Sequence, residues 1–237
     1  MKSKANYIGL NQRIPFEVLD TAIQVYLELG SIERELILEK MKEFTAGENR
    51  ARKASSYVMQ ILKRQDRILK ELRNAISGIS YSNLKMDDRK ALCLCLISLT
   101  YPITYDLLVA LAQGFKVQSF INKKFISEKV MAIYGSNRTV EIAIDALIPI
   151  IIELQTIRRE KISIYSLGTK LRISNKFISE LIIFSDIKLS GSKSILIDDL
   201  SFRPWYSYFQ ILDLESMSIK RLLKKKDSAV GKGYLTI

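Results

Sequence analysis

Apolar residues return every three to four positions through most of the first 155 residues, and that period limits the chain to helical architectures more than any other feature. Over 16–29 it places Val18, Leu19, Ala22, Ile23, Tyr26 and Leu27 on one face, with Pro15 just before the stretch and Gly30 just after it. The same spacing predicts a helix over 31–44, with Ile32, Leu36, Ile37, Met41 and Phe44 inward. A longer one is expected over 48–76, where Thr45 and Glu48 stand at capping-box spacing and Ala54, Tyr57, Val58, Ile61, Ile68, Leu69, Leu72 and Ala75 form a buried stripe. Further helices are expected over 87–101, over 104–115 with Thr104 as cap, over 123–134, and over 139–154 with a kink at Pro149. Only 4 prolines and 10 glycines punctuate the 237 residues, so the class is mainly α.

The stretch 164–198 has the spacing of a helix-turn-helix followed by a wing. Leu167, Leu171, Ile173, Ile178 and Leu181 would let two short helices close, Gly168 would allow their close approach, and Ser174 would cap the second. Residues 187–189 and 195–197 flank Ser190, Gly191, Ser192 and Lys193 as a hairpin with a basic tip. Arg172 stands where the tight turn usually carries Gly. A second small hairpin is expected over 156–165, with Arg158, Arg159 and Lys161 at its tip. Helices 104–154 followed by that hairpin also make a winged order, so two overlapping readings, 104–165 and 164–198, stand side by side. The expected architecture is a bundle-like N-terminal domain over 1–80, a C-terminal domain over 81–212 with a helix-turn-helix or winged-helix unit and one or two small β-hairpins, and a basic tail over 213–237 expected to be mobile.

The chain carries 37 basic against 25 acidic side chains, a net charge of +12, which favours polyanionic partners. It has no histidine, which removes imidazole general acid/base catalysis, histidine metal sites and every Ser/Cys–His nucleophile pair. Cys93 and Cys95 lie two apart on an expected helix, cannot readily bridge, and read as buried thiols. The longest apolar runs are interrupted by Pro102, Asp145 or Pro149, short of the ~20 residues of a spanning helix. With no signal-like N-terminus, a cytoplasmic location is expected. No Gly-rich phosphate loop, metal-ligand cluster or paired-carboxylate motif appears. The expectation is therefore a non-enzyme with no catalytic residues, no metal, no cofactor, no small-molecule substrate and no membrane contact.

The candidate nucleic-acid-binding residues follow from charge and helix starts. Arg50, Arg52 and Lys53 crowd the start of helix 48–76, where free N–H groups favour phosphate, with Ser55 and Ser56 beside them. Arg158, Arg159 and Lys161 are the hairpin cations; Lys170, Ser174, Lys176, Ser179 and Lys193 belong to the 164–198 unit. The aromatic cluster of Trp205, Tyr206, Tyr208 and Phe209 is read as docking the C-terminal end of the chain on the core.

Several stretches together resemble a known family. Phe44 to Lys53 (FTAGENRARK) leads into a helix ending Ile61, Leu62, Lys63 and Arg64; helix 139–154 ends in Ile157, Arg158 and Arg159; and Arg203 with Pro204 lies near the end. This order is similar to BrxA, the small accessory protein of BREX phage-defence systems, over roughly residues 14–209. The resemblance implies a helical, helix-turn-helix-bearing DNA-binding protein without enzymatic activity, and matches Arg50, Arg52 and Lys53 to the family's Ala- and Arg-rich helix. The basic tail beyond residue 215 lies outside it.

The expected function is thus non-enzymatic double-stranded DNA binding as a defence accessory or a transcriptional regulator. The alternative is a helical adaptor for other proteins of a complex, based on Phe177, Ile182, Ile183 and Phe184 near a helix start. Exposure of Phe177 and Phe184 would favour the adaptor.

Overall fold

Helical spacing alone sets most of the elements, but caps and breaks move their ends. The computed structural model describes residues 8–212, 221–227 and 231–237, with 61% helix against 11% strand. Helix α1 (Phe16–Leu29) runs as expected and closes on Gly30, whose φ of +82° lets its N–H reach the Tyr26 carbonyl at 2.9 Å. Helix α2 (Arg34–Lys42) is shorter than expected; it buries Ile37 and Met41 but leaves Leu36 and Phe44 exposed. Helix α3 (Glu48–Arg64) starts after Gly47 at φ +91° with no side-chain cap, so the Thr45–Glu48 capping box does not form. The expected single helix over 48–76 is two. Gln65 breaks it, buried and donating Nε2 to Thr100 Oγ1 at 3.1 Å, and α4 (Asp66–Ala75) follows.

Helix α5 (Met86–Thr100) is apolar on every side, and residues 90–98 are all buried. It touches α1 and α3 on one side and the helix Lys176–Leu189 on the other. Buried Asp20 of α1 accepts from Tyr81 Oη at 2.7 Å and Arg89 Nη1 at 2.8 Å, tying α1 to the start of α5. One apolar core runs from Leu10 to Leu235, so the polar stretch over 77–85 does not separate one core from another.

Then come α6 (Ile103–Phe115), β1 (Ile121–Asn122), α7 (Lys123–Tyr134), α8 (Arg138–Glu153), β2 (Ile157–Lys161) and β3 (Ile164–Leu167). The three strands form an antiparallel sheet in the order β1-β3-β2. Thr104 lies inside α6 and does not cap it; Pro102 holds that position. Asn122 and Asn137 cap α7 and α8, accepting from Phe125 N at 2.8 Å and Val140 N at 3.1 Å. Helix α8 continues through Pro149 without a break. The β2–β3 tip is Ile162 and Ser163, the latter at φ +61°.

The 164–198 reading is overturned. Residues 164–167 are β3, and β4 (Leu171–Arg172) lies parallel to β6 (Phe209–Gln210), so no first helix exists there. Helix α9 (Lys176–Leu189) is capped by Asn175, which accepts from Phe177 N at 2.9 Å and Ile178 N at 3.2 Å; Ser174 is not the cap. Asp88 binds the Ser174 hydroxyl at 2.6 Å and the amides of Ser174 and Asn175, while Asp87 accepts from Arg172 N. Those four contacts hold 172–175 extended. Helix α9 takes 187–189, and β5 (Ser194–Leu196) pairs with β8 (Tyr234–Thr236), itself flanked by β7 (Lys224–Lys226). The hairpin over 187–197 is therefore absent. Leu222, Leu223 and Leu235 are buried, so 221–227 and 231–237 are folded segments and no free tail; the expectation for 213–220 and 228–230 lies outside the described residues. Among the described residues no single helix is long and apolar enough to cross a membrane; α5 and α6 could do so only as a pair bent by 115°.

Candidate nucleic-acid interface

Strand β2 buries only its first residue, and the cations of the β2–β3 hairpin all lie in its exposed remainder. Ile157 and Tyr165 point inward and are buried, while Arg158, Arg159 and Lys161 are exposed. Arg158 pairs opposite Ser166 and donates to the Thr169 hydroxyl. Arg159 pairs opposite Tyr165 and, with Lys123, Asp145, Ile162 and Ser163, lines a cavity of about 220 Å³ between the hairpin and the α7–α8 pair. Lys123 and Asp145 form an ion pair across that floor. The register slips between Arg159 and Lys161, and Glu160 accepts from Ser166 Oγ at 2.5 Å. The start of α8 exposes Arg138, Thr139, Glu141 and Ile142, while the hairpin tip lies nearer Asp145, Ile148 and Pro149 further along that helix. Among the described residues Arg138, Arg158, Arg159 and Lys161 enter no ion pair.

The other candidates are dispersed. Arg50, Arg52 and Lys53 are exposed at the start of α3, with Arg52 bound to Glu48 at 2.5 Å. Ser55 is buried and donates to the Ala51 carbonyl, and Ser56 accepts from Arg34 and donates to Arg52 O, so both hydroxyls are already engaged. Lys170 follows β3 and lines a different cavity, of about 530 Å³, with Lys225 and Phe209. Ser174 is spent on Asp88. Lys176 is exposed, but over a cleft shared with Glu71, Glu180 and Arg221. Ser179 is wholly buried and accepts from Leu212 N at 3.4 Å, so it is no surface contact. Lys193 is exposed before β5, away from any wing. The expected surface built on α9 is not there, because residues 177–187 are all core.

Arg138 and Ile162 were not singled out by sequence reasoning. The signals for them were a basic residue directly after an Asn cap and an aliphatic residue in a run of charges.

Buried ionisable groups elsewhere hold the fold. Asp186 on α9 accepts from Tyr105 Oη at 2.6 Å and from Arg203 Nε and Nη2. Burial raises the Tyr105 phenol, and the Asp186 carboxylate raises the Arg203 guanidinium further. Burial pushes the Cys95 thiol up to about 12 and raises Cys93 well above its ordinary value, so both stay protonated thiols. Burial also raises Asp106 despite the Tyr134 hydroxyl it accepts at 2.6 Å.

No family model, curated protein or solved structure matches this chain. The case for its function therefore rests on the geometry above and on the likeness read from the sequence.

Proposed function

We propose that the chain is a non-enzymatic double-stranded DNA-binding protein whose contact surface is built by residues 103–167. The observation that carries this is topological. Helix, short strand, helix, tight turn, helix and hairpin, with the sheet ordered β1-β3-β2, is the arrangement of a winged helix, and it favours the 104–165 reading. The turn between α7 and α8 is three residues, 135–137, and Gly135 supplies a positive φ, +86°, of the kind that would be costly for Arg172. Helix α8 is then the helix whose start meets the groove, and Arg158, Arg159 and Lys161 are the wing cations. Glu141 and Asp145 on α8 disfavour a phosphate track along its length, so the wing and Arg138 supply most of the attraction.

Titration of a labelled duplex with the full chain at several salt concentrations tests this. Arg159→Glu and Lys161→Glu should each weaken binding for all sequences and flatten the salt slope by roughly one unit per lost phosphate contact. Lys176→Glu and Lys193→Glu should leave both unchanged. Absence of binding at low salt, or a flat salt response, would refute the proposal.

The stretches similar to BrxA support placing this cytoplasmic activity in phage defence. Within them, Arg50, Arg52 and Lys53 present a second cationic helix start, while Arg203 is occupied with Asp186. The adaptor reading loses Phe177 and Phe184, which are only 4% and 9% exposed. It keeps one observation, the exposure of Val117, Phe120 and Phe202, where Lys116 Nζ reaches the Phe202 carbonyl at 3.0 Å. A protein partner masking that face would lower hydrogen exchange over 117–120 without touching the wing.

A further inference from the structure

Ile162 is 92% exposed, more than any other large apolar side chain described, and stands at the apex of a two-residue turn. Ser163 supplies the left-handed residue, so nothing in the turn geometry calls for an aliphatic side chain beside it. Lys161 precedes it, and Arg159 opens onto the same cavity, while Glu160 is held by Ser166. The apex is thus an aliphatic tip among cations with its one carboxylate engaged.

Resting on the winged reading above, we infer that this tip enters the minor groove of A·T-rich duplex, with Ile162 as an apolar wedge and Arg159 and Lys161 as flanking cations. A narrow A·T minor groove concentrates negative potential that draws inserted cations, and it lacks the guanine 2-amino group that would meet an apolar side chain. Partial unstacking by an aliphatic side chain costs least at flexible steps. On the neighbouring helix Asp145 is bound to Lys123 and Glu141 can pair only with a donor such as the cytosine amino group, so Arg138 is its one cation for the major-groove edge, which inosine leaves unchanged.

The test is fluorescence anisotropy of the full chain with three duplexes of equal length whose cores are A·T, G·C or inosine·C. Inosine keeps the major-groove edge of guanine and removes its minor-groove amino group. The A·T and inosine·C duplexes should bind alike, each about tenfold tighter than G·C, the scale expected for burying most of one aliphatic side chain. Ile162→Ser should erase that difference and keep the salt slope, and Ile162→Leu should restore it. Equal binding of all three duplexes, inosine·C behaving as G·C, or an Ile162→Ser variant that keeps its preference would each overturn the wedge while leaving DNA binding intact. Failure to bind any duplex at low salt would overturn the DNA reading and the wedge with it.

Discussion

Thr104 is wholly buried in α6, and among the described residues its hydroxyl finds no hydrogen-bond partner. A desolvated, unpaired hydroxyl is a cost that an isosteric methyl does not carry, so Thr104→Val should raise stability by about 1 kcal/mol, seen as a higher denaturant midpoint at unchanged slope. Asp106 sits a residue pair further along the same helix and shows the pH side of the same physics. Burial raises its folded pKa above 3.8, so the native state binds its proton more tightly than the unfolded chain does. Stability from this group therefore falls as pH rises from about 3.8 through that raised value. Asp106→Asn, which can still accept from Tyr134, should be at least as stable as the parent at pH 7, and the gap should close towards pH 3 when melting is followed across pH. Gly168 shows how much one residue reveals in sequence. Its smallness was legible as a close approach, but the neighbour is the α8–β2 turn: an added Cβ would lie 2.0 Å from the Gln155 carbonyl oxygen. Gly168→Ala should cost roughly 1–3 kcal/mol by overpacking, measured by chemical denaturation.

Among the elements, most helix limits were legible, those of the all-round apolar α5 included, while the break at Gln65 and the long run of α9 were not. Helices α1 and α7 have one apolar stripe and a recognisable cap or Gly terminus, and their expected and observed limits agree. Helix α9 buries residues 177–187 on all sides, so its pattern could pass for a short helix followed by a strand; periodicity carries no phase there. Asn175 caps its start locally, but Asp88, about 86 positions earlier, holds the preceding residues extended where a first helix was expected, and no local pattern could show that. Its buried Glu180 is another long-range clasp: Oε1 accepts from the amides of Arg221, Leu222 and Leu223 at 3.0, 2.8 and 2.9 Å. Glu180→Ala should leave two buried donors and one half-buried donor unpaired, cost on the order of 3 kcal/mol, and give fast hydrogen exchange over 221–226 before the rest of the fold opens.

For the whole molecule, composition set the helical class, and the long-range contacts that fix which helices meet were beyond it. The C-terminal segments show the difference. As a run of lysines they read as solvent-borne charge, yet Leu222 and Leu223 among those lysines, and Leu235 beyond them, are buried. Removing 221–237 should cost roughly 5 kcal/mol from three lost apolar side chains and lower the thermal midpoint sharply. Reversing Lys224, Lys225 and Lys226 together to Glu, all exposed on β7, should leave that midpoint within a few degrees. The all-round apolar character of α5 also bears on how the chain is made. Helices α1 to α4 emerge from the ribosome before the helix they close on, and α5 must then wait for α9, 89 residues later by the positions of their last residues, 100 and 189. At synthesis rates of roughly 5–20 residues per second, that is an interval of about 4–18 s in which the side of α5 that meets α9 is left in the open. Over that interval the uncovered side of α5 is apolar surface of the kind chaperones recognise, which the finished surface gives no sign of.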